Sequence, residues 1–150
     1  TDNLSELMMG FWTLNGDVGD FAPIQHILKG LEEYAIAEAL GVPDEPLNAV
    51  PTDGLDIVPG GTDEDQLGLP YSDLDRVIVA LLQNDFDKKG HCSNNEISAL
   101  SARLTDQLNC QPGKIEHVAH QFRNTQYKRN WPLTLSRSEI GLPEVNEIEL

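Results

Sequence analysis

The sequence is poor in positive charge. Ten Lys and Arg stand against 25 Asp and Glu in 150 residues, a formal net charge of −15. Duplex nucleic-acid binding draws most of its affinity from Lys and Arg that neutralise phosphates, so that class of function is disfavoured. An anionic membrane surface is disfavoured for the same reason. A small phosphate-bearing ligand is still allowed, because a few placed cations and a divalent metal outweigh distant charge at short range. Cysteine is scarce as well: Cys92 and Cys110 alone make neither a disulfide framework nor a zinc site, and reduced cytosolic thiols are expected. No apolar run approaches the ~18 residues of a membrane-spanning helix. The polar, acidic first residues lack the basic start of a secretory signal. A cytoplasmic protein of single-domain size is expected, with 39% hydrophobic residues and a mean hydropathy of −0.34.

Against that background one window stands out. Lys114, Arg123, Lys128 and Arg129 fall close together, the last two inside TQYKRNWP at 125–132. A cationic site in so acidic a chain either balances a surface or meets an anion that diffuse charge could not hold.

Along the chain the pattern is mainly helical. Asn3 or Ser5 is placed to cap a helix through Met8, Met9 and Phe11, with Glu6 near its positive end. After the turn GDVGD (16–20), QHILKGLEEYAIAEALGVP has helical apolar spacing at Ile27, Leu28, Leu31, Ala35, Ile36, Ala39 and Leu40, stopped by Gly41 and Pro43. Gly30 weakens that prediction slightly. Pro43 to Pro70 has little periodicity and reads as a long connection. YSDLDRVIVALLQNDF, NNEISALSARLTDQL and QPGKIEHVAHQFRNT read as three further helices, the last with Pro112 in its first turn. Short strands are expected near 20–24 and 55–58, and residues 133–150 as a tail.

Residues Asp85 to Glu96 have the twelve-residue frame of an EF-hand, with Asp85, Asp87, Gly90 and Glu96 at its first, third, sixth and twelfth positions. Lys89, however, puts an ammonium where a ligand oxygen belongs. A calcium-binding helical module is therefore kept as an alternative to a plain helix–turn–helix.

The order of several motifs resembles a specific family. TDNLSELMMGFWTLNGDVGDFAPI is similar to a segment of ammonia-dependent NAD synthetases that runs T-D-x-x-x-E, G-F-(F/W)-T and G-D-x-G-x-D-x-x-P. The helix bearing Lys29 and ending LGVP, then PTDGL (51–55), DEDQLGLPYSDLD (63–75) and TQYKRNWP follow in that family's order over residues 1–132. The resemblance implies an α/β, Rossmann-like fold of the adenine nucleotide alpha hydrolase kind, of which this chain is the mainly helical C-terminal part. It implies ATP- and Mg²⁺-dependent amidation of deamido-NAD by ammonia through an adenylated intermediate, in a homodimer. Position by position, Thr1, Lys29 and Thr52 resemble residues that contact ATP, Glu6 the Mg²⁺ carboxylate, and Asp20, Tyr127 and Lys128 residues that contact deamido-NAD. No residue is assigned a bond-making role, and the loop 53–70 is expected to be a mobile lid over ATP. Each position also has a plainer use. Glu6 suits a helix dipole without metal, Lys29 a solvated helix face, and Thr52 and Asp20 a turn. Arg129 is expected to be a structural ion-pair partner, and His26, His117 and His120 receive no role.

Departures from the family pattern are equally definite. Leu14 stands where many members have lysine, Tyr127 replaces histidine, and the GDVGD turn is one residue short. The S-G-G-x-D-S loop that cradles pyrophosphate has no match, since Gly60-Gly61 lacks the serines. The resemblance starts abruptly at Thr1. The chain is therefore expected to be the C-terminal half of a longer synthetase and to be inactive alone. A catalytically dead, dimer-forming relative is a further alternative.

Overall fold

Asn3 starts the first helix. Its Oδ1 accepts from the Glu6 N–H at 3.0 Å, while Glu6 Oε2 accepts from the Asn3 N–H at 3.2 Å. This reciprocal capping box opens α1 (Leu4–Met9), which closes at Gly10 with φ 64°. A Cβ at position 10 would sit 2.4 Å from Thr125 Cβ, so both the backbone and the packing require glycine there. The computed structural model of the protein describes residues 2–14, 19–52, 54, 60–86, 92–130 and 136–142.

The helix predicted from Gln25 begins later than its apolar spacing suggests. Residues 23–26 form a turn, closed by the Ile27 N–H on Ile24 O at 2.9 Å. A π-helical turn (Lys29–Glu33) then runs into α2 (Tyr34–Ala39). Only Leu28 of the expected apolar face is buried; Leu31, Ile36 and Leu40 are exposed. The strand expected near 20–24 is not formed: Pro23 has no N–H for a ladder and the chain turns there instead. The strand expected at 55–58 lies outside the described residues.

The connection from Pro43 to Pro70 is more structured than its composition implies. It holds α3 (Asp44–Leu47) and α4 (Asp63–Leu67). Thr62 and Asp65 form a second capping box, which gives α4 its start, and Leu67 and Leu69 are buried. The Asp63 N–H donates to Pro51 O at 3.0 Å and closes the segment on itself.

The core is built by α5 (Tyr71–Gln83), α6 (Asn94–Leu108) and α7 (Pro112–Asn124), the three helices expected from the sequence. Leu74, Val77, Ile78 and Leu81 on α5 are fully buried against Ile97 and Leu104 of α6 and Ile115, Val118 and Phe122 of α7. Each such side chain contributes about 1.5–3 kcal/mol on burial. Phe86 meets Phe122 edge-on, ring centroids 5.6 Å apart at 81°. The Ser101 hydroxyl donates to Pro112 O at 2.8 Å, which ties α6 to the start of α7. A short α8 (Gln126–Arg129) follows. Among the described residues there is helix and no strand, and no helix is long and apolar enough to cross a membrane. Neither cysteine is in a disulfide, and Cys92 is buried.

Candidate functional site

Three elements converge on one cluster. Glu6 stands in the first turn of α1, Lys29 opens the π turn, and Tyr71 opens α5. Lys29 Nζ lies 3.5 Å from Glu6 Oε1, with the two side chains only 17% and 14% exposed. The Tyr71 hydroxyl donates to the same Oε1 at 3.1 Å. The Lys29 ammonium also stands 4.9 Å from the centroid of the Tyr71 ring. Burial pushes the Tyr71 hydroxyl far above the usual phenol range, and the neighbouring Glu6 and Asp63 charges push it further. Tyr71 is thus a fixed neutral donor that orients the Glu6 carboxylate.

One helical turn on, Asp75 is fully buried. Its Oδ1 accepts from the Ser5 hydroxyl at 2.5 Å, and its Oδ2 from the Gly30 N–H at 2.6 Å and the Leu31 N–H at 3.0 Å. Ser5 Oγ in turn accepts from the Lys29 N–H at 3.0 Å. Burial raises the Asp75 carboxyl above its ordinary value, while these donors pull it back. Glu33, beside Lys29, is also raised, first by burial and then by the Glu6 charge, with Lys29 opposing; its Oε2 is buried without a hydrogen-bond partner.

Two further cations, Lys128 and Arg129, lie at the other end of α1, about 6 Å along its axis. Lys128 donates to the carbonyl oxygens of Gly10 at 2.7 Å and Trp12 at 2.6 Å, and stands 5.5 Å from the Trp12 ring centroid. Arg129 donates to Met8 O and Phe122 O, each at 2.7 Å. Arg123 donates to Cys92 O at 2.7 Å. Of the four cations that stand out in the sequence, three hold backbone carbonyls of their own chain, and Lys114 is exposed.

Comparison with known proteins gives these clusters a context. The family model for NAD synthase matches residues 1–132. The chain belongs to the NAD synthase family. It is 32% identical over 134 residues to an NH(3)-dependent NAD(+) synthetase of Thermococcus sibiricus, covering 89% of this chain and 46% of that one. It is 31% identical over 134 residues to the protein of the same description from Pyrococcus furiosus, with the same coverage. Over a shorter stretch of 89 residues it is 43% identical to the one from Thermoplasma volcanium, covering 59% of this chain and 34% of that one. The chain thus spans about half the length or less of these curated relatives.

Within this chain, the residues singled out from sequence are dispersed. Glu6 and Lys29 are brought into contact. Lys128 lies at the opposite end of α1, engaged with Gly10 and Trp12. Asp20 and Thr52 are exposed, and Tyr127 is 52% exposed. Thr1 lies outside the described residues. Leu14, at the position of the expected lysine, is partly buried. His117 contacts Leu67 O at 3.1 Å, and His120 meets Arg123 at 3.0 Å. The 53–70 segment contains α4, and its residues 53 and 55–59 lie outside the description.

The calcium alternative loses support. Residues 87–91 of its loop lie outside the described residues. Glu96, the carboxylate that would ligate last, is instead held by the Ser93 N–H at 2.7 Å and hydroxyl at 2.9 Å as the capping box of α6.

Sequence reasoning missed Ser5, Tyr71 and Asp75. The available signal was the spacing of Tyr71 and Asp75 inside the quoted motif, four apart and so on one face of a helix.

Proposed function

We propose that the intact protein is an NAD synthetase that amidates deamido-NAD to NAD with ATP and ammonia, and that this chain is the C-terminal portion of its single nucleotide-binding domain. The observation that carries this reading is the Glu6–Lys29 contact. Two residues matched independently to a metal carboxylate and a phosphate lysine come from different elements and meet at 3.5 Å.

Activation of the nicotinate carboxylate requires its attack on the α-phosphate of ATP, with pyrophosphate leaving; ammonia then displaces AMP from the adenylate. Both steps bring anions together, so cations must be in place as charge develops. Lys29 is suited to the phosphates. Its partner Glu6 and the Tyr71 ring hold the ammonium in a partly buried place, ready to exchange one anion for another. Thr1 and Thr52 remain proposed ATP contacts, and Asp20, Tyr127 and Lys128 proposed deamido-NAD contacts. If Lys128 acts on substrate, it does so from its seat on the 10–12 loop.

Mg²⁺ fits Glu6 as a single carboxylate. Among the described residues no group of three or more His, Cys, Asp and Glu could enclose a metal. That suits an ion held by one carboxylate plus phosphate oxygens, and does not suit an all-protein cage. When bound, the ion supplies neutralisation of the phosphate charge. The chain's own part is to fix the Glu6 carboxylate, through the Asn3 N–H on one oxygen and the Tyr71 hydroxyl on the other.

The pyrophosphate cradle has no counterpart among these 150 residues, so the chain alone is proposed to be inactive. The relatives are about twice its length, and on the order of its motifs the chain is proposed to form the C-terminal side of an α/β, Rossmann-like domain, with the 53–70 segment as the cover over ATP. The exposed Leu31, Ile36 and Leu40 offer surface for a second protomer of a cytoplasmic homodimer or for the rest of the fold.

The deciding experiment is Lys29→Ala in the intact enzyme. A rise in KM for ATP, or a fall in kcat, of about tenfold or more is expected, with KM for deamido-NAD little changed. Unchanged ATP kinetics would remove Lys29 from the site.

A further inference from the structure

The start of a helix leaves four backbone N–H groups without partners in the helix itself. At the π turn all four are taken, and three of them by side chains from other elements. The Leu28 N–H donates to Glu32 Oε2 at 2.9 Å. The Lys29 N–H donates to Ser5 Oγ, and the Gly30 and Leu31 N–H groups donate to Asp75 Oδ2. Ser5 and Asp75 are themselves joined through the Ser5 hydroxyl. Both are fully buried, and they come from α1 and α5, far from residue 29 in sequence.

The two ends of this bracket adjoin the two members of the candidate site. Ser5 precedes Glu6, and the N–H that it holds is that of Lys29 itself. The backbone of Lys29 is therefore pinned one residue from the carboxylate that its ammonium contacts. Gly30 permits this closeness, since a Cβ there would lie 2.5 Å from Ser72 N and from Tyr71 C.

We infer that Asp75 is a positioning residue for Lys29: acting with Ser5, it fixes the backbone from which the lysine reaches a nucleotide phosphate. This rests on the reading of Lys29 as the phosphate contact. A carboxylate is suited to the task because it only accepts, and here it accepts three donors on two oxygens. An amide in its place would turn one acceptor into a donor facing donors.

The test is steady-state kinetics of the full-length enzyme with Mg·ATP, deamido-NAD and ammonium, comparing Lys29→Ala, Asp75→Asn, Ser5→Ala and the double variant Lys29→Ala/Asp75→Asn. Asp75→Asn is expected to raise KM for ATP about tenfold, a misplacement effect, with KM for deamido-NAD unchanged. Ser5→Ala is expected to do the same to a smaller extent, and stands in if Asp75→Asn does not fold. The double variant is expected to match Lys29→Ala alone, because a residue that acts only through the lysine has nothing left to lose. Three results would overturn the inference. Asp75→Asn and Ser5→Ala could lower the melting temperature yet leave ATP kinetics intact, which would make the bracket a plain cap. The double variant could show additive losses, which would place Asp75 in some other role. Lys29→Ala could leave ATP kinetics unchanged, in which case the phosphate reading of Lys29 falls and takes this one with it.

Discussion

The ammonium of Lys128 and the carbonyl oxygen of Gly10 lie 2.7 Å apart across 118 positions of sequence. With the second bond to Trp12 O, this fastens the end of α1 to α8. A hydrogen bond to a charged group contributes about 1.5–3 kcal/mol, and its loss leaves a partly buried carbonyl unsatisfied. Lys128→Met should lower stability by about 2 kcal/mol in urea unfolding and should speed proteolysis at residues 10–14. A lysine that served substrate alone would leave the unfolding midpoint where it was.

Gly30→Ala should be costly for its size. The added methyl would meet the backbone of Tyr71 and Ser72, which cannot rotate away as a side chain can. A loss of about 1–3 kcal/mol is expected from overpacking, outweighing the helix propensity that alanine gains. Denaturant midpoints of the two proteins compare the effects directly. Equal midpoints would mean that α5 and the π turn are further apart than described.

Glu33 should make stability fall as pH rises. Burial lifts its carboxyl above the ordinary 4.5, so the folded state holds the proton more tightly than the unfolded one. The favourable contribution is complete below pH 4.5 and is lost as pH rises through the folded value. Glu33→Gln removes this dependence. The variant should melt higher than the parent at pH 7, and the gap should close as the solution is acidified. A gap of opposite sign at neutral pH would mean that Lys29 dominates the environment of Glu33.

Ser93→Ala should destabilise α6 by about 1 kcal/mol through loss of its cap. Excess calcium should leave the melting temperature of the parent unmoved, because Glu96 is committed to that cap. A calcium-dependent rise that disappears in Asp85→Ala would reverse this assignment.

What was legible in the sequence followed from local rules. The helices α5, α6 and α7 and the cap of α1 act within a few residues: all three helices are found, and of the two candidates Asn3 and Ser5 it is Asn3 that caps. Glu6 and Lys29 were singled out through resemblance, and the fold puts their side chains in contact. What was not legible acts between distant segments. Asp75 caps a helix 44 and 45 positions away, which no local window can reveal. Gly30 reads locally as a weakness, whereas its reason lies in the backbone of α5. The cations near residue 125 suggested an anion, and the partial negative charge they meet is that of carbonyl oxygens at the end of another helix.

The π turn at Lys29–Glu33 makes chain length itself a determinant of the site. Its wide ring is closed by the Glu33 N–H on Leu28 O at 2.9 Å, one residue more than an ordinary helical turn encloses. Deleting a single residue there would tighten the ring to the common form and swing what precedes it by about 100° around the axis. Lys29 would then face away from Glu6 with every side chain of the cluster still encoded. At this place a one-codon deletion is expected to be a more severe lesion than most substitutions, since it would move Lys29 without changing it.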